Sequence, residues 1–246
     1  MKYDLPNRMK LRLLAIVAAT LISATHITAQ DSKQRTLASP DFPGVLVVDF
    51  GFNGFTTAPD TMDLSWWKSK SVSFYYMRSF PIGKKLTFNP AIGLSLEKYA
   101  FVEDITLGET QNSNGETVMD VVAIEADEVL KSKMAINYFD APIEFRFYPK
   151  GSDRKGSFFI AAGGSLGILF ESHTKVKFKE NGVTKQIKLR DDFRQSNIRY
   201  GVHGRIGFGG VNFFYKEYFS KIFKPDGPDG TQNTSARTIG ISISGF

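Results

Sequence analysis

The chain contains no cysteine among its 246 residues. Disulfide bonds, thiolate metal sites and the usual cysteine-linked lipid anchor are therefore excluded. A protein without disulfide bonds must be held together by a large core or by a closed, hydrogen-bonded sheet. Histidine is scarce, with 3 residues, and neither a P-loop nor a His-Glu-x-x-His zinc motif occurs. The sequence predicts no cofactor site and no metal site.

Long hydrophobic runs are also missing, although 42% of the residues are hydrophobic and 22 are Phe. An apolar stretch, Leu13 to Ile22, follows four basic residues and precedes a small, polar segment ending at Ala29. We predict a secretory leader over residues 1–29. A single membrane-anchoring helix is the alternative, but it needs roughly 20 apolar residues to span the hydrocarbon core.

The net charge is small once this leader is set aside. The formal net charge is +6, and removal of the leader takes away Asp4 and four bases, which leaves +3. Binding to nucleic acid requires a strong positive field. The mature chain therefore offers no electrostatic reason to expect a nucleic-acid partner.

What the sequence does have is strict alternation of apolar and polar residues. In "APIEFRFYPKG" (residues 141–151), Ile143, Phe145 and Phe147 alternate with Glu144, Arg146 and Tyr148. Such a pattern places apolar side chains on one face of a strand and polar ones on the other. Eight strands of this kind are predicted, at about 45–55, 70–82, 86–101, 134–148, 157–178, 196–209, from 211, and 235–246.

The connections between these strands alternate in length. The links 83–85, 149–156 and 209–210 are short, whereas 56–69, 102–133, the ribbon around "ENGV" (180–183) and 224–234 are longer. Bacterial outer-membrane barrels show this asymmetry, with short periplasmic turns and longer outer loops. We therefore predict an all-β, eight-stranded antiparallel up-and-down transmembrane β-barrel over residues 43–246, preceded by a short segment, 30–42. A soluble β-barrel is the structural alternative.

In such a barrel the apolar faces contact lipid and the polar faces fill a narrow lumen. The predicted lumenal polar cluster has a structural role and consists of Asp49, Glu97, Glu144, Arg146, Arg199, His203 and Arg205. The facing of three strands stays open. Arg78 falls on the apolar parity of the second, charges lie on both parities of the seventh, and Phe246 shares its parity with serines in the eighth.

The predicted leader, the strand spacing, "YFDAPIEFRFYPKG" (138–151), "FIAAGGSLGILF" (159–170) and the terminal Phe246 together resemble the PorT-like outer-membrane β-barrel proteins of Gram-negative bacteria. The resemblance covers about residues 43–246. It implies a small barrel placed in the outer membrane by the insertion machinery. The member that names the family is associated with assembly of a protein secretion system, so the resemblance also implies partners among other envelope proteins.

No motif identifies a function, so the prediction rests mainly on the functions that the sequence excludes. We expect a non-enzymatic interaction, assembly or structural protein whose partners are outer-membrane lipids and envelope proteins. A narrow pore for water or small solutes is one alternative. A lipid-modifying hydrolase is another, suggested by adjacent Glu171, Ser172 and His173. Neighbouring residues of a strand face opposite ways, which argues against contact between Ser172 and His173.

The longest predicted connection, 102–133, is acidic, while the ribbon that follows the fifth strand is basic. Solvated loop charge explains this most simply. The sharper hypothesis is that the acidic segment folds over the basic ribbon and caps the barrel.

Overall fold

The computed structural model describes residues 44–151 and 157–245. The predicted leader, the segment 30–42, residues 152–156 of the third short link and Phe246 lie outside the described residues. The described chain forms twelve strands and one short 3-10 helix, Asp60–Met62. Within these ranges no helix has the length and apolar character needed to cross a membrane.

The strands are β1 (Val45–Thr56), β2 (Lys70–Met77), β3 (Phe80–Pro81), β4 (Leu86–Ala100), β5 (Ile105–Gln111), β6 (Thr117–Ala123), β7 (Glu128–Phe147), β8 (Phe158–Glu180), β9 (Val183–Arg190), β10 (Ile198–Phe208), β11 (Val211–Tyr218) and β12 (Ser235–Ser244).

Eight of these strands close into an antiparallel ring in chain order: β1, β2, β4, β7, β8, β10, β11 and β12, with β12 paired to β1. A closed ring pairs backbone groups on both sides of every strand, which a sheet in hydrocarbon requires. The predicted eight-stranded barrel is confirmed. The short links gather at one end of the ring and the longer ones at the other.

The prediction of one long second strand is wrong in detail. β2 ends at Met77, and the two-residue β3 pairs separately with β4. Arg78 lies in the gap, where its guanidinium carbon stands 5.2 Å from the centroid of the Phe80 ring. Proline lacks the N–H that a ladder needs, so Pro81 is compatible only with a short edge pairing.

Two hairpins project from the long-link end. The first, β8–β9, turns at Asn181 and Gly182, whose φ angles of 51° and 73° are those of a type I′ turn. It matches the ribbon predicted from "ENGV". The second, β5–β6, lies within the segment predicted as one long polar link.

Alternation decides which side chains face inward. On β7, Ile143, Phe145 and Phe147 point outward and are 45–46% exposed, whereas Glu144 and Arg146 are buried inside. The same pattern runs around the ring, so large apolar side chains form a continuous outer belt. On β12 the outward residues are Ile239, Ile241 and Ile243.

A β-bulge reverses the parity of β8. Asn137 pairs with Glu171 but Tyr138 pairs with Leu169, so Phe170 is the extra residue. A bulge shifts the side-chain alternation by one position. Towards the short-link end, Phe159 and Ala161 face inward; beyond the bulge, even-numbered residues such as Ser172 do so.

An apolar cluster fills the barrel mouth at the long-link end, and we call it the apolar cap. Its buried members include Met62, Tyr99, Leu107, Met119, Met134, Ile136, Phe193, Ile222 and Phe223. They come from the ends of β4 and β7, from the β5–β6 hairpin, from the 3-10 helix and from neighbouring loops. The acidic segment therefore covers the mouth mainly through its apolar residues.

Polar side-chain contacts also join this acidic segment to the ribbon. Glu128 forms an ion pair with Lys179 at 2.7 Å, and Asp127 accepts a hydrogen bond from the Asn181 backbone at 2.8 Å. Both are exposed, and exposed pairs contribute little stability.

Candidate functional site

Arg205 of β10 binds carboxylates from two other strands. Two guanidinium nitrogens donate to Asp49 of β1 at 3.1 and 3.2 Å, and Nε donates to Glu144 of β7 at 3.1 Å. Asp49 also lies 2.9 Å from Nζ of Lys216, and Glu144 also accepts a hydrogen bond from Arg146. Each carboxylate thus has more than one basic partner, which compensates the loss of hydration on burial.

Arg199 forms a second centre nearer the long-link end. It lies 2.6 Å from Glu97 and 2.6 Å from Asp140. Its guanidinium carbon also stands 3.8 Å from the Tyr138 ring centroid and 4.3 Å from that of Tyr218. The planar cation is therefore held between two rings and two carboxylates, an arrangement suited to arginine and unsuited to lysine.

Tyr75 of β2 joins the two centres. Its hydroxyl accepts a hydrogen bond from Lys216 at 3.1 Å and donates to Asp140 at 3.2 Å. Ser95 donates to the same oxygen of Asp140 at 2.5 Å. A continuous network of charges and hydrogen bonds therefore runs along the lumen.

All seven residues of the predicted lumenal cluster lie in this interior. The structure adds Asp140, Lys216 and Tyr75, which the prediction omitted. Asp140 has the same parity as Glu144, so the signal was present in the sequence. Lys216 could not be separated from Glu217, because adjacent charges on the seventh strand left its facing undecided.

The charges of this network balance. The buried acids are Asp49, Glu97, Asp140 and Glu144, and the buried bases are Arg146, Arg199, Arg205 and Lys216, with His203 as a further polar member. His203 Nε2 lies 3.3 Å from Glu144, while its Nδ1 has no partner among the described residues.

Glycines make room for the long side chains. At Gly167 a Cβ atom would lie 2.3 Å from Oδ1 of Asp140 and 2.8 Å from Cγ of Arg199. Both distances are below van der Waals contact. A side chain at this position would displace the ion pair between Arg199 and Asp140.

The free volume beside these buried residues is small. Two internal cavities are lined by these residues, one beside Arg199 and one beside His203, and each measures about 10 Å³. That is about the space of a single water molecule. The arrangement can fill and cross-link a barrel, but it offers no room for a small-molecule substrate.

The three residues considered for a hydrolase do not assemble. His173 Nδ1 lies 3.0 Å from Glu171 on the outer face. Ser172 points inward and donates to the Ala135 carbonyl at 3.2 Å. Among the described residues, no group of three or more potential metal ligands is brought together either.

A comparison with protein-family models agrees with this architecture. Residues 38–224 match the family described as "Outer membrane protein beta-barrel domain". No curated protein matches the chain. A solved structure, that of Ail, the attachment invasion locus protein of Yersinia pestis, is similar at 11% identity, with 82% of this chain and 97% of that chain covered and a TM-score of 0.38. The family match covers most of the sequence, and the chain therefore belongs to the outer-membrane β-barrel domain family and is a protein of the outer membrane.

Proposed function

We propose that this protein is a non-enzymatic interaction or assembly factor of the outer membrane and does not act as a conduit. The observation that carries the proposal is the filled lumen. Balanced charges and the apolar cap occupy the interior, and the cavities beside Arg199 and His203 each have room for about one water. A continuous aqueous path would require breaking several buried ion pairs.

The element best suited to contact a partner is the β8–β9 ribbon. β9 pairs with β8 on one side, and no described strand pairs with its other edge. Its residues are all exposed, including Val183, Ile187 and Leu189. An open edge presents unpaired backbone N–H and C=O groups, to which a partner can add a strand.

The resemblance to PorT-like proteins suggests where to look for this partner. A protein secretion system assembled at the outer membrane is the first candidate to test. The open edge of β9 supports such a role by supplying a place for a second envelope protein to bind.

Two measurements test the proposal together. In planar bilayers, the purified protein should give no single-channel steps. In cells, a photo-crosslinking residue at Gln186 of β9 should give a discrete protein adduct, whereas the same residue at Phe213, on the outer belt two strands away from β8, should not. Conductance steps would favour a narrow pore. Equal adducts at both positions would contradict binding of a partner at the open edge of β9.

The hydrolase alternative has its own readout. Ser172→Ala should leave the lipid composition of the outer membrane unchanged, because Ser172 faces inward and does not contact His173. A changed lipid profile in cells carrying this variant, but not in cells carrying Ser165→Ala, would contradict the non-enzymatic proposal.

A further inference from the structure

A group of lysines lies on the outward face of the barrel just beyond the apolar belt, and we call it the lysine band. Its members come from four neighbouring strands of the ring and from the ribbon: Lys70, Lys98, Lys131, Lys133, Lys175, Lys177 and Lys188. On β4, Lys98 follows the outward residues Ile92, Leu94 and Leu96 of the belt. The band therefore stands where hydrocarbon gives way to headgroups.

The sheet register brings these lysines together. Lys133 is directly opposite Lys175, Lys175 is opposite Lys188, and Lys131 is opposite Lys177. Like charges directly opposite each other on antiparallel strands are destabilising. Repeated pairing of this kind raises the free energy of the folded protein, and a bound anionic ligand would lower it again.

The lysines of the band that lie on β2, β4, β7 and β8 have no acidic partner within the described residues. Ion pairs in this region belong to the ribbon side, where Glu171 lies 3.5 Å from Arg190 and 4.0 Å from Lys188. Because lysines of neighbouring strands stand opposite one another here without carboxylates between them, the local potential is positive.

The band borders a groove of about 470 Å³. Its lining includes Lys68, Lys70, Lys98, Lys131, Lys133 and Trp67, with Glu103 and Asp104 at the loop side. Five ammonium groups around one concave surface are suited to a compact, multiply charged anion such as a phosphate. Neither carboxylate forms an ion pair with these lysines in the described structure.

Two tryptophans mark the depth of this groove in the membrane. Trp66 and Trp67 are 66% and 56% exposed, and the ammonium groups of Lys68 and Lys70 lie 5.9 and 5.8 Å from the Trp67 ring centroid. Exposed tryptophans concentrate at membrane–water interfaces. A headgroup at this level reaches the groove without leaving the bilayer.

We propose that this groove binds the phosphate group of an anionic lipid headgroup on the long-loop side of the membrane. The acyl chains of that lipid would lie along the apolar belt below the band, beside Val72, Phe74, Leu94 and Leu96. The inference does not depend on the proposed assembly role, since a barrel with no protein partner would still present this surface.

The two tryptophans are the only ones in the chain, and Trp67 lines the groove while Trp66 is its neighbour, so indole fluorescence reports on this region. The full protein is reconstituted in phosphatidylcholine vesicles that contain phosphatidic acid brominated high in its acyl chains, which quenches nearby indoles. Brominated phosphatidic acid should quench more strongly than brominated phosphatidylcholine at the same mole fraction. Lys98→Gln combined with Lys133→Gln should weaken the preference by about fivefold for each lysine removed.

The matched control is Lys84→Gln combined with Lys150→Gln, which removes the same charge at the short-link end. It should keep the preference, and millimolar inorganic phosphate should not abolish it. Equal quenching by both lipids, or equal loss in both double variants, would overturn the proposal. Displacement by inorganic phosphate would instead assign the groove to free anions and overturn the lipid assignment.

Discussion

Arg205 shows at the scale of single residues why the lumenal charges cannot be removed one at a time. It compensates Asp49 and Glu144, on two different strands, and all three side chains are buried. Loss of one partner from a buried ion pair leaves the other charge uncompensated and costs about 3–5 kcal/mol, whereas an exposed pair contributes about 0–1 kcal/mol.

Arg205→Met should therefore lower the free energy of unfolding by about 3–5 kcal/mol, measured by urea titration of the folded barrel in lipid vesicles. The matched control is Arg190→Met; the arginine side chain is 70% exposed and, within residues 44–151 and 157–245, forms an ion pair with Glu171 alone. Adding Glu144→Gln to Arg205→Met should recover part of the loss, because it restores the balance between buried acids and buried bases in the lumen. Similar effects of the two arginine changes would show that water enters the lumen.

Gly167 gives a second prediction at this scale. A methyl group there would lie 2.3 Å from Asp140 Oδ1, whereas at Gly164, on the outward face of the same strand, the nearest atom would be 3.5 Å away. Gly167→Ala should destabilise the barrel by about 1–3 kcal/mol, as overpacking does. Gly164→Ala should have little effect in the same urea titration, and equal tolerance of both would contradict the packing of Arg199 against Asp140.

Much of this interior follows from alternation alone, because period two assigns a face to every residue once one face is known. Asp140 is on the same parity as Glu144 and could have been included. Lys216 could not, since Lys216 and Glu217 place opposite charges on both faces of β11. Only the register with β12, which sets Glu217 opposite Arg237 on the outer wall, decides between them.

At the scale of elements, the β5–β6 hairpin was not predicted, because its sequence is rich in carboxylates and was interpreted as a polar connection. Its pairing depends on a turn at Asn112 to Glu116, where Gly115 has a φ of 76° and the Asn112 side chain accepts two backbone hydrogen bonds. Its fixed position over the mouth depends on buried Leu107 and Met119. Local sequence shows the first feature, but tertiary packing supplies the second.

Leu107→Asp should release this hairpin from the apolar cap without opening the barrel, because Leu107 is 1% exposed and contacts residues of the mouth. Limited proteolysis of intact cells should then cleave within 105–123 much faster than in the parent protein. Val122→Asp, on the other face of the hairpin, serves as the control. The heat-dependent shift in gel migration that folded barrels show should persist in both variants, and its loss in Leu107→Asp would mean that the cap is needed for the barrel itself.

At the scale of the whole molecule, the sorted link lengths predict which end of the barrel faces out. Short turns of outer-membrane barrels lie on the periplasmic side. In this chain they include Gly209 and Gly210 between β10 and β11, while the ribbon and the apolar cap lie at the opposite end. The same orientation places the lysine band in the headgroup region of the outer leaflet.

The absence of cysteine allows a direct test of this orientation, since any cysteine introduced is the only one in the chain. Thr184→Cys lies on exposed β9 of the ribbon, and Lys84→Cys lies in the short link before β4. A maleimide that cannot cross membranes should label the first variant in intact cells and the second only after the outer membrane is permeabilised. Because both sites are exposed, unequal labelling reports the side of the membrane and not burial. The reverse pattern would show that the barrel has the opposite orientation and that the lysine band lies at the periplasmic leaflet.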